Sequence, residues 1–130
     1  MGHRVETLCD ADATAQLLHE QYGGSLRLLE DVARIVREEM PGRMAALADA
    51  VRLGDAAAIE AAAHKVRGGL LLFGNGNAEG EAEHLELDAE RGEVTSAADR
   101  LMALERAVAE WLKALDRVTE NCHHEDPAGR

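Results

Sequence analysis

A histidine with nearby cations and two following glycines is the part of this chain whose residue types best suit chemistry. The segment AAAHKVRGGLLLFGNG at 61–76 contains His64, Lys65 and Arg67, followed by Gly68 and Gly69. A neutral imidazole is a competent nucleophile, and the unperturbed pKa of histidine, about 6.5, leaves much of it neutral at cellular pH. A chain that began this helix with alanines therefore places a nucleophile, two cations and two poor helix formers together.

Helical spacing predicts that His64 points away from the protein core. At about 100° per residue, it lies roughly 140° from the centre of the apolar stripe of a helix predicted over about 56–73. The stripe consists of Ile59, Ala62, Ala63, Val66, Leu70 and Phe73. The outer face around the histidine is small and partly apolar, with Glu60 and Arg67 toward one flank, and its members are Ala57, Ala61, Gly68 and Leu71.

A helix face without bulky side chains predicts close contact with a partner. Each mid-helix glycine costs roughly 1 kcal/mol relative to alanine, so Gly68 and Gly69 together are expensive for the helix. Leu71, exposed in this phase, suits an apolar contact. Taken separately, the histidine could be an ordinary solvated side chain, and the glycines could permit close packing between helices. Together they form a pattern that favours a docking site.

Composition limits the class of protein. The chain of 130 residues is long enough for one domain, and 46% of its residues are hydrophobic but only 2% aromatic. With 2 prolines and much alanine and leucine, it is typical of an all-helical protein. Its net charge of −11 argues against nucleic acid and anionic membrane surfaces as partners.

The expected location is the cytoplasm. No apolar run approaches the ~20 residues of a membrane span, and no signal-peptide pattern opens the chain. Cys9 and Cys122 match no metal or redox spacing, so we interpret them as reduced thiols.

The helices that must position His64 can be read from apolar periodicity and from glycine, proline and capping residues. We predict one domain over residues 1–130. Its parts are a short additional N-terminal helix over about 14–21, a bundle over about 25–120 and a flexible C-terminal tail over about 121–130. The bundle helices are expected over about 25–53, 56–73 and 78–91, with a last helix that follows Ser96 and ends at about 120. Short connections between helices with one apolar stripe each predict an all-α, antiparallel four-helix bundle.

Pro41 is the one ambiguity in this plan. It either kinks a single helix over about 25–53 or begins a second helix as its first residue. The apolar phase continues across the proline, which favours one kinked helix. Gly54 and Asp55 then predict a helix end followed by an N-cap, and Ser96 with Asp99 resembles a capping box before the last helix.

The segment around His64 resembles a known family. Ala63-His64-Lys65-Val66-Arg67-Gly68-Gly69, followed by Phe73-Gly74, resembles the signature of histidine phosphotransfer (HPt) domains, approximately A-H-x-L-K-G with a later glycine. It is also similar to the phosphotransfer module of chemotaxis histidine kinases. The resemblance extends over about 25–120, because EEMPGRMAALADAVRLGD looks like the preceding helix and turn, and AEHLELDAERGE, with its Leu85-Glu86 pair, looks like the following helix.

The resemblance implies a phosphocarrier. His64 would accept a phosphoryl group from an aspartyl phosphate on a receiver domain, or from a kinase, and pass it to another receiver. Arg67, where the family usually has lysine, would stabilise the phosphoryl group, and Lys65 is a second candidate for this role. Glu60 could also orient the imidazole. Partner docking would involve Gly68, Ala61, Leu71 and Glu60.

The length of the chain, 130 residues, predicts that the protein is a carrier and not itself an enzyme. Its helices leave no room for a nucleotide-binding α/β domain, so the phosphoryl group must come from elsewhere. The expected partners are the receiver domain of a response regulator, a hybrid histidine kinase, or both. No cofactor is expected on this chain, since Mg²⁺ would belong to the receiver, and we expect a monomer. Two alternatives are a non-phosphorylated helical adaptor that uses the same face and a self-associating structural bundle.

Three other segments contain residues found in functional sites. GNGNAEG at 74–80 is rich in glycine but lacks the strand–turn–helix setting of a phosphate-binding loop. NCHHEDP at 121–127 contains potential metal ligands, but a loose tail would not preorganise them. His84 has no metal-ligand spacing and is expected to be a surface residue. None of the three predicts a separate site.

Overall fold

Four α-helices make up the part of the chain that the computed structural model describes, residues 23–73 and 77–125, and no strand occurs there. The helices are α1 (Leu26–Leu53), α2 (Ala56–Leu70), α3 (Asn77–Glu90) and α4 (Ala97–Glu125). A 3₁₀ turn, Leu71–Phe73, follows α2 directly. The predicted all-α fold is confirmed.

The helices form a closed bundle. Each helix packs against the next one along the chain, and α4 packs back against α1. Because short connections join successive neighbours, adjacent helices run antiparallel, as predicted for a four-helix bundle. Within the described residues, no helix is long and apolar enough to cross a membrane.

Local sequence explains where α1 begins and ends and where α2 begins. The Ser25 hydroxyl accepts a hydrogen bond from the Leu28 N–H at 3.1 Å, which caps α1, and the Asp55 carboxylate accepts one from the Ala58 N–H at 3.2 Å, which caps α2. Between the helices, Gly54 adopts a left-handed conformation with φ of 68°, which favours glycine. The predicted Gly-Asp turn is therefore confirmed, and it fixes the start of the helix that carries His64.

Pro41 lies inside α1, so the alternative of a second helix beginning at the proline is wrong. Its apolar neighbours remain in phase, with Met40 and Leu47 both buried. The end of α4 differs from the prediction, because the helix continues to Glu125 and does not stop near residue 120. No glycine or proline interrupts the chain before Pro127, which explains the extension.

The core consists mainly of leucine, alanine and other aliphatic side chains around one buried tryptophan. Its largest fully buried members are Trp111, Leu29, Met40, Leu47, Ile59, Leu70, Leu85, Leu104 and Leu115. Several predictions lie outside the described residues: the short helix over about 14–21, Cys9, the glycines of 74–76, and the tail from 126 onward. The side chains of Phe73 and Cys122 lie outside them as well.

Candidate functional site

His64 lies near the middle of α2 and faces solvent. Its side chain is 70% exposed, whereas Ala63 and Val66 on the opposite side of the helix are fully buried. The helical-phase prediction is therefore confirmed for the histidine. Its neighbours on the outer face are also accessible: Ala57, Ala61 and Gly68 are exposed, and Leu71 is 39% exposed.

A carboxylate on the neighbouring helix holds the imidazole. Nδ1 of His64 lies 2.9 Å from Oε2 of Glu86, on α3. An ionised carboxylate only accepts hydrogen bonds, so Nδ1 must carry the proton that it donates. In the neutral ring the other nitrogen, Nε2, then holds the lone pair, and it has no hydrogen-bond partner among the described residues. In its neutral form, His64 thus directs its nucleophilic nitrogen away from Glu86 and leaves it accessible to a partner.

The imidazole is held by Glu86 and not by Glu60, one turn before it on the same helix. Glu60 is half-buried and makes no hydrogen bond or ion pair with His64 in the described part of the chain. Glu86 is held in turn, since its side chain is only 16% exposed and its Oε1 accepts a hydrogen bond from Nη1 of Arg67 at 3.2 Å. The orienting group is therefore itself fixed.

Arg67 is directed toward α3, and all three of its guanidinium nitrogens face carboxylates there. Nε donates to Glu79 at 3.0 Å, Nη1 donates to Glu86, and Nη2 lies 3.6 Å from Glu83. The hydrogen bond to Glu79 is the main cause that raises the pKa of Arg67 above its ordinary value. Glu86 and Glu83 also raise the pKa, and partial burial opposes them. The cation predicted to stabilise phosphate is thus already paired.

Lys65 is the other predicted cation, and its side chain is exposed. Its ammonium group has no partner among the described residues. The backbone of the same residue has a structural role, because its carbonyl oxygen accepts a hydrogen bond from Nη1 of Arg43 on α1 at 2.9 Å. That bond ties α2 to α1 beside the histidine.

The two adjacent glycines have different surroundings. A Cβ placed on Gly68 would meet no atom within 4 Å, so this glycine is not required for packing in the described structure. A Cβ on Gly69 would lie 3.0 Å from Cε of Met40 and 3.1 Å from Nη1 of Arg43. Gly69 therefore permits the close approach of α1, whereas Gly68 leaves open space one turn from His64.

A second exposed histidine has the opposite arrangement. Nδ1 of His84 lies 3.1 Å from Nη1 of Arg100, and Nε of Arg100 donates to Asp88 at 2.7 Å. An arginine only donates, so Nδ1 of His84 must be the acceptor, and in the neutral ring Nε2 carries the proton. The lone pair of His84 is therefore engaged, and its partner, Arg100, belongs to α4.

The three carboxylates of α3 were not among the predicted site residues. Glu79, Glu83 and Glu86 follow one another at spacings of four and three, which places them on one side of a helix. This pattern was available in the sequence. What it could not show is that the acidic side of α3 lies opposite the His64 side of α2.

Among the described residues, no group of three or more histidine, cysteine or acidic side chains is placed to hold a metal ion. The arrangement of Glu86, His64 and the accessible outer face suits nucleophilic attack by an imidazole on a group brought by a partner. Comparison with known proteins found no matching family model, no matching curated protein and no matching solved structure.

Proposed function

We propose that this protein is a histidine phosphotransfer protein of a two-component phosphorelay, with His64 as the phosphoacceptor. His64 takes a phosphoryl group from the aspartyl phosphate of a receiver domain, or from a kinase, and passes it to another receiver. The observation that carries the proposal is the exposed imidazole whose Nδ1 is bonded to Glu86 and whose Nε2 is open to a partner. The resemblance of the segment 63–74 to the family signature supports it independently.

The transfer step follows from the tautomer. The lone pair of Nε2 attacks the phosphorus atom, a new N–P bond forms, and the P–O bond to the receiver aspartate breaks. The aspartate leaves as a carboxylate with the bonding pair. The ring keeps its proton on Nδ1 and gains positive charge, which the Glu86 carboxylate stabilises at 2.9 Å. The same events in reverse pass the phosphoryl group to the aspartate of another receiver. The Mg²⁺ ion is expected on the receiver and not on this chain.

Access to Nε2 supports the same role. In-line transfer requires reacting atoms within about 3–3.5 Å of each other, so the receiver must approach the α2 backbone closely. Gly68 and Ala61, on either side of His64, present no side chain beyond Cβ, and both are exposed. Leu71, two turns further along, offers an apolar contact. A face with small side chains on both sides of the histidine permits close approach by a folded partner.

Phosphorylation by a receiver tests the proposal. The purified protein is incubated with a phosphorylated receiver domain, and acid-labile, alkali-stable phosphate on the chain is measured. We expect His64→Gln to abolish the label. His84→Gln is the matched control, because His84 is exposed but its Nδ1 is engaged by Arg100. Loss of the label in His84→Gln but not in His64→Gln would refute the assignment.

A helical adaptor without phosphorylation is the second candidate. It is favoured by the pairing of Arg67 with three carboxylates, which leaves that guanidinium engaged before any phosphoryl group arrives. An adaptor has no use for a nucleophilic imidazole, so His64→Gln would leave its partner binding intact. Under either function we place the protein in the cytoplasm.

A further inference from the structure

We propose that Glu79 and Glu83 restrain Arg67 so that a phosphoryl group on His64 is held weakly and is readily passed on. This inference rests on the proposed function and concerns the regulation of the same site. It assigns a role to two carboxylates that touch neither the imidazole nor, in the transfer step above, the reacting atoms. They are therefore positioning residues that act through Arg67.

The geometry of Arg67 is the first support. It follows His64 by three residues, so the two side chains lie on neighbouring parts of the same helical surface. Each guanidinium nitrogen nevertheless faces α3: Nε faces Glu79, Nη2 faces Glu83 and Nη1 faces Glu86. To contact an oxygen of a phosphoryl group bonded to Nε2, the guanidinium would have to weaken at least one of these interactions.

Charge is the second support. One guanidinium faces three carboxylates, so the immediate surroundings of Arg67 remain negative after pairing. A phosphoryl group adds roughly two further negative charges. Glu79 is only 17% exposed, which reduces the screening of its charge by solvent. A guanidinium that turned toward the phosphoryl group would leave Glu79 and Glu83 without their cation, so the phosphorylated state gains little from Arg67.

Glu86 differs from the other two carboxylates in its effect. It also contacts Arg67, but its second oxygen accepts the Nδ1 proton of His64 and stabilises the positive ring that forms on phosphorylation. Glu79 and Glu83 make no hydrogen bond or ion pair with the imidazole in the described part of the chain. Their removal should consequently free Arg67 without altering the tautomer of His64.

The test is the lifetime of the N–P bond in the full chain. The protein is phosphorylated chemically with phosphoramidate, which needs no protein partner, and the decay of phosphohistidine is followed by ³¹P NMR. The resonance that His64→Gln removes identifies the site. In Glu79→Gln/Glu83→Gln we expect a half-life about tenfold longer, because the released guanidinium can make a charge-assisted hydrogen bond to the phosphoryl group.

Two controls separate this mechanism from a general loss of charge. Glu81→Gln/Glu90→Gln removes two charges from the same helix. Neither residue forms an ion pair with Arg67 in the described structure, so we expect a half-life of the phosphohistidine within about twofold of wild type. In the Arg67→Gln background, the Glu79 and Glu83 substitutions should not change the half-life of the phosphohistidine, because both act through Arg67. Circular dichroism checks that every variant is folded.

The inference is overturned if the Glu79/Glu83 variant decays no more slowly than the Glu81/Glu90 control, or if its effect persists without Arg67. Failure of the proposed function gives a different result. A protein that exchanges no phosphoryl group with any receiver domain would refute the relay, while the decay of chemically phosphorylated His64 would still report on Arg67.

Discussion

Replacing Gly68 by leucine should make the protein more stable and a poorer phosphocarrier. Gly68 is exposed, and a Cβ at this position would meet no atom within 4 Å. The substitution removes the cost of a glycine in the last turn of α2, which is at most the roughly 1 kcal/mol of a helix interior, without overpacking the bundle. For a domain of this size, that gain corresponds to an increase in Tm of about 3–5 °C.

Transfer should slow in the same variant. A branched side chain one turn from His64 would hold the receiver aspartate away from Nε2, and a misplacement of ~1 Å can cost on the order of 10²-fold in rate. Thermal unfolding followed by circular dichroism measures the first effect. Rapid-quench phosphotransfer from a receiver domain that phosphorylates the wild-type protein measures the second.

Gly69→Leu is the matched control for this experiment. The same substitution one residue later would place Cβ 3.0 Å from Met40 and 3.1 Å from Arg43, and would disturb the hydrogen bond from Arg43 to the Lys65 carbonyl. Overpacking costs about 1–3 kcal/mol, so we expect Tm to fall at Gly69. A lower Tm for Gly68→Leu would show that Gly68 is a packing residue. A wild-type transfer rate in Gly68→Leu would refute the proposal that the receiver docks on the outer face of α2 around His64.

Three further predictions follow from particular contacts. His64→Gln should abolish phosphate acceptance and change the free energy of unfolding by less than ~0.5 kcal/mol, as measured by labelling and denaturant titration, whereas His84→Gln should retain the label. Glu86→Gln should slow transfer by about 10- to 100-fold, since it weakens a hydrogen bond to a charged group, and ¹⁵N NMR should show loss of the preference for a proton on Nδ1 of His64; an unchanged tautomer would contradict this role. Asp55→Ala should lower the free energy of unfolding by about 1 kcal/mol through loss of the α2 cap, with no change in the transfer rate of the folded protein.

The four helices and the exposure of His64 could be predicted from the sequence because both depend on local information. Apolar spacing gave the four helices to within a few residues, and Gly54 with Asp55 marked the turn before α2. The exposure of His64 followed from its angle to the apolar stripe of its own helix, which neighbouring elements do not alter. The end of α4 was placed too early because polar residues were taken as a tail although nothing there breaks a helix.

Contacts between helices were decided only by the tertiary structure. The pairing of His64 and Arg67 with Glu86 depends on the axial offset and rotation of α3 against α2, and neither quantity is written in the periodicity of one helix. The glycine pair shows the same limit. Two adjacent residues of one type differ, since Gly69 faces Met40 and Arg43 of α1 while Gly68 faces open space. A helix can specify its own faces, but what each face meets is determined by how the bundle packs.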